Sequence, residues 1–405
     1  MMRSMRVLVF AVTLVFALLA GWRVFALMRA EQLAHSDPEQ ALRRNPGEPE
    51  ALWSRTKTML DAGDDAGAAS AARALLAQEP LQGRAFGTLA DIAARAGHAD
   101  EALRLYGIAV HRAPRDPQAI NGLVQMELQR EDYSDAMHWI DFYLRTSTGR
   151  AATSSRVLPG LVPLALDGKF ASALVGVLRQ DPPWRGDMMT ALRINPTAAA
   201  RVYGQLEREH ALRPEEYSGW IDGLITAGQW DEAHMRWVAK MQGGRPGGAQ
   251  PYNGDFSSDP SNHGFDWRLP VGAAMSTEFE PVAGTRRRTL HLHFFGQTIN
   301  AALLEHALRL GAGDHILQMR IRTRSLSSAE GVAFQVACPN GTVIGAGDPL
   351  IGSADWQTAE IIVRVPPSGC PGQWLRLNQV WSGAGARLSG DLWVDDVRVG
   401  AMASH

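Results

Sequence analysis

The spacing of apolar and polar positions changes character twice along this chain. From Val7 to Met28 the sequence is one apolar run interrupted by a single charge, Arg23. Those 22 residues would measure about 33 Å as a helix, enough to cross a hydrocarbon core of about 30 Å. Arg23 lies near the far end, where its stem can snorkel while Trp22 sits at the interface. A transmembrane signal anchor over residues 1–29 is expected, with Arg3 and Arg6 on the cytoplasmic side. A cleavable signal peptide shares the charged start and apolar core. Its small-x-small cleavage pattern is poor here, with Leu18 and Ala20 the nearest candidates, and apolar character resumes afterwards. The bulk of the chain is then expected in the periplasm of a bacterial envelope, tethered to the inner membrane by a single pass.

After the anchor the pattern becomes helical with a fixed repeat. Pro46, Pro80 and Pro114 stand 34 residues apart, as do Gly63 and Gly97. Windows at 49–82, 83–116 and 117–150 place the small residue that lets two helices approach at Ala68, Ala102 and Ala136. Leu52, Phe86 and Ile120 are equivalent on the first helix of each window, and Ala72, Tyr106 and Ile140 on the second. A period of this length predicts stacked helical hairpins, because one hairpin cannot bury its apolar face alone. The segment ADEALRLYGIAVHRAP (99–114) resembles the tetratricopeptide repeat, and the resemblance covers about 49–150. The third window departs from it: Glu131 replaces the turn glycine and Thr148 the closing proline, so irregular packing is expected there. LDGKFASALVGVLRQ (166–180) and TAGQWDEAHMRWVAKM (226–241) read as second helices of degenerate repeats, and SDPEQALRRNP (36–46) as a half-unit. An all-α helical-hairpin solenoid over 30–242 follows. The resemblance implies a groove that takes a protein partner; a spacer that only holds the C-terminal domain off the membrane is the alternative.

Helical periodicity stops at GGRPGGAQP (243–251), a linker by composition, and alternation begins. Leu290, Leu292 and Phe294 alternate with His291 and His293; Leu317, Met319 and Ile321 alternate with Gln318, Arg320, Arg322 and Arg324. GVAFQVACP, WQTAEIIVRVPP, WLRLNQVW and DLWVDDVRV are further strand-like runs bounded by turn residues. Eight or nine short strands over 252–400 predict an all-β antiparallel sandwich of the jelly-roll kind. The opening YNGDFSSDPSNHGFDW (252–267) and the closing GDLWVDDVRV resemble jelly-roll carbohydrate-binding modules. The resemblance implies that the first and last strands run side by side and that Phe256 and Trp393 help close the core. It implies glycan binding by exposed aromatic rings, with Phe265, Trp267, Trp356 and Trp381 the candidates; each ring has core filling as its alternative. It also implies a structural calcium near the closing strand, for which Asp395 and Asp396 are the matching acids, although Ser257 stands where the opening acid is expected.

Composition narrows the chemistry. A net charge of −2 argues against a dedicated nucleic-acid binder. Arg286, Arg287 and Arg288 form the one basic run and read as a solvated loop. The two cysteines, Cys338 and Cys370, lie in one domain; they would pair in an exported protein and stay reduced in the cytosol. With no CxxC, zinc-ribbon and thioredoxin-like readings fall away. His291 and His293 share a strand face and would need a third convergent ligand to hold a metal; otherwise they form a solvated polar face. Arg320, Arg322 and Arg324 share an outward face that can meet an anionic glycan or keep the sheet soluble. Phosphate loops, GxSxG, HExxH and EF-hand signatures are missing. The acidic pairs Asp64–Asp65 and Glu215–Glu216 fall at predicted helix starts, where the helix dipole explains them.

The expectation is therefore a multidomain, non-catalytic, membrane-anchored envelope protein with no required cofactor. Its repeats would dock a protein and its sandwich a glycan, in the assembly or export of a surface polysaccharide. A pure protein–protein scaffold and a cryptic glycan-cleaving enzyme are the alternatives from other classes.

Overall fold

A computed structural model describes residues 2–147, 150–241, 250–270, 272–299, 301–380 and 387–401. It divides into two compact units, Met1–Met188 and Met189–His405. Helices occupy the chain up to Met241 and strands follow from Trp267.

The first unit opens with α1 (Met2–Leu33). Its Thr13–Leu33 segment, mean hydropathy 1.5, is long and apolar enough to cross a membrane, and almost none of it is buried. Only its end packs on protein: Ala30 and Ala34 are fully enclosed beside α2 (Pro38–Arg44). The paired helices follow as α3 (Pro49–Asp61) with α4 (Asp65–Gln78), α5 (Gly83–Arg95) with α6 (Ala99–Arg112), and α7 (Pro117–Gln129) with α8 (Tyr133–Thr146). First helices begin 34 residues apart and so do second helices, the period of the prolines. Ala68, Ala102 and Ala136 are completely buried at the helix crossings, where a larger side chain would force the pair apart. Leu52, Tyr106, Ile120 and Ile140 are buried with them, while Phe86 is partly covered.

Caps mark the helix starts. Asp64 accepts from Gly67 N at 2.8 Å and Asp116 from Gln118 N at 3.0 Å. Asp65, in the first turn of α4, binds Arg95 of the next hairpin at 2.6 Å, and Asp100 binds Arg130 in the same way at 2.8 Å. The third hairpin keeps the turn of the other two: Gly63 and Gly97 have φ of 75° and 79°, and Glu131 takes the same left-handed region at 58°. The irregularity expected there is thus confined to backbone strain at one residue, and Thr148 lies outside the described residues. α9 (Arg150–Leu164), α10 (Gly168–Leu178) and α11 (Arg185–Leu192) continue the helical series.

The second unit carries α12 (Pro196–Arg208), α13 (Pro214–Thr226) and α14 (Trp230–Met241). Glu215 and Glu216 lie in the first turn of α13, and Glu216 accepts from Arg213 N at 3.0 Å, the structural role expected of that acidic pair. Of the expected linker, 243–249 lies outside the described residues.

Among the described residues ten strands form two five-stranded antiparallel sheets. One has the order β1-β4-β9-β6-β7 and comprises β1 (Trp267–Arg268), β4 (Leu304–Leu308), β9 (Gln373–Gln379), β6 (Val332–Ala337) and β7 (Val343–Ala346). The other has the order β2-β3-β10-β5-β8 and comprises β2 (Met275–Pro281), β3 (Arg288–Thr298), β10 (Arg387–Ala401), β5 (Gly313–Ser327) and β8 (Gly352–Val365). Inward residues of both sheets, among them Leu290, Leu292, Met319, Ile321, Val336, Ile361, Leu375 and Val394, make one shared core. Cys338, just after β6, and Cys370, just before β9, are joined by a disulfide.

The aromatic-rich stretch 252–267 is folded by its own polar residues. Asn253 Oδ1 accepts from Ser258 N at 3.0 Å, and Asp266 accepts from the backbone of Ser261 and of Trp267, each at 2.8 Å. These turns deliver Phe256 and Trp267 into the core, where both are fully buried with centroids 5.2 Å apart. The stretch runs along the last strand: Val397 N donates to Gly254 O at 2.9 Å. A Cβ at Gly254 would lie 2.0 Å from Val397 O, so that contact requires glycine.

Candidate functional site

The two outer faces of the sandwich differ, and the difference selects the site. On the sheet β1-β4-β9-β6-β7 the outward Trp374 meets Trp230 of α14 edge-on, with centroids 5.4 Å apart. Phe265 packs against Trp230 at 6.1 Å and His234 at 5.0 Å, and Trp237 meets Tyr252 at 5.7 Å. Asp222 of α13 accepts from His263 Nδ1, Gly264 N and Arg268 Nη2 at 2.6, 2.8 and 2.8 Å. A Cβ at Gly372 would stand 2.0 Å from Trp230, so the helix sits directly on this sheet's edge. Part of this face is therefore already occupied by the chain's own helices.

On the sheet β2-β3-β10-β5-β8 the outward side chains instead form rows of rings and guanidinium groups. At its centre Trp393 of β10 stacks on His291 of β3, centroids 4.3 Å apart and planes 8° from parallel. The guanidinium carbons of Arg322 and Arg324 lie over Trp393 at 5.2 Å each. Trp393 Nε1 donates to Glu280 of β2 at 3.0 Å. Beside this row, Asp391 accepts from His291 Nε2 at 2.9 Å, His293 Nδ1 at 2.7 Å and Arg324 Nε at 3.1 Å. Burial alone would raise the Asp391 pKa, but the hydrogen bonds from His293, His291 and Arg324 outweigh it and hold it at about 2. Towards β8, Arg320 lies 5.0 Å over the half-buried Trp356. Phe295, at the other end of the face, is 50% exposed.

Several expected residues stand elsewhere. Trp267 is wholly enclosed and Phe265 is 3% exposed beneath α14, so neither ring presents a face to a sugar. Trp381 lies outside the described residues. Trp356 is on the outer face. Trp393, expected to close the core, points away from the core that Leu392 and Val394 enter, yet it is itself only 6% exposed, covered by His291, Arg322 and Arg324. The signal was in the alternation, since Asp391 and Asp395, two positions to either side, share its face.

The expected calcium acids are engaged by cations. Arg287 Nη2 binds Asp395 Oδ1 at 3.0 Å and stands 3.7 Å from Asp396, and Arg320 lies 3.9 Å from Asp395. A guanidinium lodged between two carboxylates supplies the positive charge a calcium ion would bring, and its donors occupy the oxygens calcium needs. The Arg286–Arg288 run is accordingly not a solvated loop throughout, for Arg288 also donates to Phe256 O and pairs with Asp259. His291 and His293 differ: His291 is largely covered while the His293 side chain stays 43% exposed, and Asp391 brings them together from a strand about a hundred residues away in sequence. Among the described residues the one three-acid cluster close enough to share a cation is Glu127, Asp132 and Asp135, where Asp132 caps α8.

At the β7–β8 edge a cleft of about 200 Å³ is lined by Met319, Phe334, Ile361, Asp348, Gln357 and Glu360. Both of its carboxylates are exposed.

No family model and no curated protein matches this chain. Solved structures give distant likenesses. The Pseudomonas aeruginosa protein PilF is 16% identical, with 55% of this chain and 95% of that one aligned and a TM-score of 0.31. A CBM4 carbohydrate-binding module is 13% identical over 37% of this chain and 98% of its own length, TM-score 0.27. A xylan-binding domain from CBM22 is 13% identical over 40% of this chain and 99% of its own, TM-score 0.25. Scores of this size carry no functional argument, and the helical hairpins and paired sheets stand on the elements described above.

Proposed function

We propose that this is a non-catalytic envelope protein, anchored by α1 in the inner membrane with its bulk in the periplasm. In this reading the helical hairpins dock a protein partner and the sandwich holds a glycan, as an accessory to assembly or export of a surface polysaccharide. The observation that carries the glycan half is the outer face of β2-β3-β10-β5-β8. Its rings and guanidinium groups are held in rows by stacking, while α14 already takes up part of the opposite face. Trp356 and Phe295, the accessible rings of this face, give flat apolar surface for the C–H face of a sugar, and the polar groups between them meet its hydroxyls. Anchoring draws support from the exposed apolar length of α1, and an oxidising compartment from the Cys338–Cys370 bond.

A glycan-cleaving enzyme would need two carboxylates facing a substrate, one of them raised in pKa by burial to serve as the acid. Of the acids at the β7–β8 cleft, Asp348 is exposed and Glu360 turns its carboxylate to the outer face, where it accepts from Gln318 at 2.6 Å, which disfavours that role. The test is affinity electrophoresis of the full chain in non-ionic detergent, through gels containing single polysaccharides, with Trp356→Ala alongside. Retardation by a polysaccharide that Trp356→Ala weakens about tenfold is the expected result. Free migration through every polysaccharide would leave the protein–protein scaffold as the better reading.

A further inference from the structure

Arg320 and Arg322 stand apart from the other arginines around Trp393 and Asp395. Arg324 is tied to Asp391, Arg287 to Asp395 and Arg288 to Asp259 and a backbone carbonyl. The guanidinium groups of Arg320 and Arg322 make no hydrogen bond among the described residues; each has a carboxylate only at 3.9 Å, Asp395 and Asp355 respectively. Their side chains are 47% and 45% exposed. Each lies over an indole, Arg320 on Trp356 and Arg322 on Trp393. A guanidinium resting over a ring keeps its edge N–H donors free, and that fork can take a carboxylate in bidentate fashion. Two positions apart on one strand face, the two side chains leave the backbone about 7 Å apart.

The surroundings say which anion fits. Thr358 lies directly across from Arg320, and Glu360 across from Gln318, all on the same face. Asp355, Glu360 and Glu280 are exposed there. Those carboxylates repel a densely charged polyanion and have acceptors to offer. A ligand that satisfies both sets of groups carries isolated carboxylates among many hydroxyl donors.

Resting on the reading that this face binds a glycan, we infer that its ligand is an acidic polysaccharide whose uronate carboxylates are held by Arg320 and Arg322. The full chain in non-ionic detergent is run by affinity electrophoresis against polygalacturonate, the same polymer after carboxyl reduction, neutral xylan, dextran sulfate and poly-glutamate. Polygalacturonate is expected to retard the chain and its carboxyl-reduced form to lose at least about tenfold in affinity. The Arg320→Ala/Arg322→Ala pair should lose about as much, with circular dichroism unchanged. Arg322→Lys should fall between, since lysine keeps the charge without the fork, and Arg364→Ala, an exposed arginine of β8, should bind as the unaltered protein does. Equal retardation by the reduced polymer or by xylan overturns the uronate inference and leaves glycan binding standing. Dextran sulfate binding without polygalacturonate binding overturns it in favour of sulfate. Poly-glutamate binding as strong as polyuronate binding, or no retardation by any polymer, overturns the inference together with the glycan reading.

Discussion

His306 of β4 shows what burial does to one side chain. It is 1% exposed, its Nε2 lies 3.1 Å from Tyr252 O, its Nδ1 has no partner, and its ring meets Trp267 edge-on at 4.7 Å. Burial pushes its pKa down to about 4, because a charged imidazolium there would lose its water and gain one carbonyl. The unfolded chain takes up the proton near pH 6.5 and the folded one resists it. Stability that is complete above pH 6.5 is thus lost progressively as the pH falls towards 4, by about 3 kcal/mol at about 1.4 kcal/mol per pKa unit. Urea unfolding of the full chain, followed by tryptophan fluorescence between pH 7 and 4, should show that decline. His306→Gln should remove most of it, and an unchanged slope would mean another group is responsible. Asp391 acts in a lower window: its depressed pKa adds stability that is present above about pH 4 and lost as the pH falls through about 2.

Among the elements, what was legible and what was not divides by range in sequence. The hairpins α3–α8 could be read in advance because their determinants are local: an alanine at each crossing and apolar positions on each helix, repeated every 34 residues, with a glycine turn in the first two. The strands were legible for the same reason, since alternation is a property of each strand alone. Where outward residues go was legible only in part. Asp391 meets His291 and His293 only because β10 lies beside β3, a pairing that nothing in either segment specifies. Arg287 reaches Asp395 through the same non-local pairing, so a composition that suggested calcium was satisfied by an arginine. Glu131 is the one turn position where local chemistry and local geometry disagree. An L-residue in the left-handed region costs about 1–2 kcal/mol, whereas glycine there loses about 0.4–1 kcal/mol through the extra freedom of the unfolded chain. Glu131→Gly should therefore stabilise the α7–α8 hairpin by about 0.5–1 kcal/mol, since the exposed pair with Lys169 contributes little. A raised thermal midpoint of the helical transition is the expected reading, and a lowered one would show that the Lys169 contact outweighs the strain.

At the scale of the whole molecule, the change from helix to strand does not coincide with the boundary of a compact unit. The second unit begins at Met189 and includes α12–α14 with both sheets. The reason lies in five rings. Trp230 and Trp237 are 1% and 7% exposed, and what covers them includes Phe265, Trp374 and Tyr252 from the strand-bearing segment. Burying two large aromatics fully is worth on the order of 3–6 kcal/mol, a sizeable share of the 5–15 kcal/mol by which a domain is stable. Asp222, which accepts from His263, Gly264 and Arg268, would leave those three donors without their partner if the helices were removed. A fragment spanning 189–405 is therefore expected to unfold in one cooperative urea transition. A fragment of 252–405 should unfold at markedly lower urea, bind a hydrophobic dye through the uncovered Phe265 and Trp374, and aggregate. Trp230→Ala in the longer fragment should cost about 3–5 kcal/mol, the usual range for removing a large buried ring. Equal midpoints for the two fragments would mean that the sandwich stands alone and the helices rest on it without supporting it. The predicted inequality instead makes α14 a structural part of the domain that carries the free sheet.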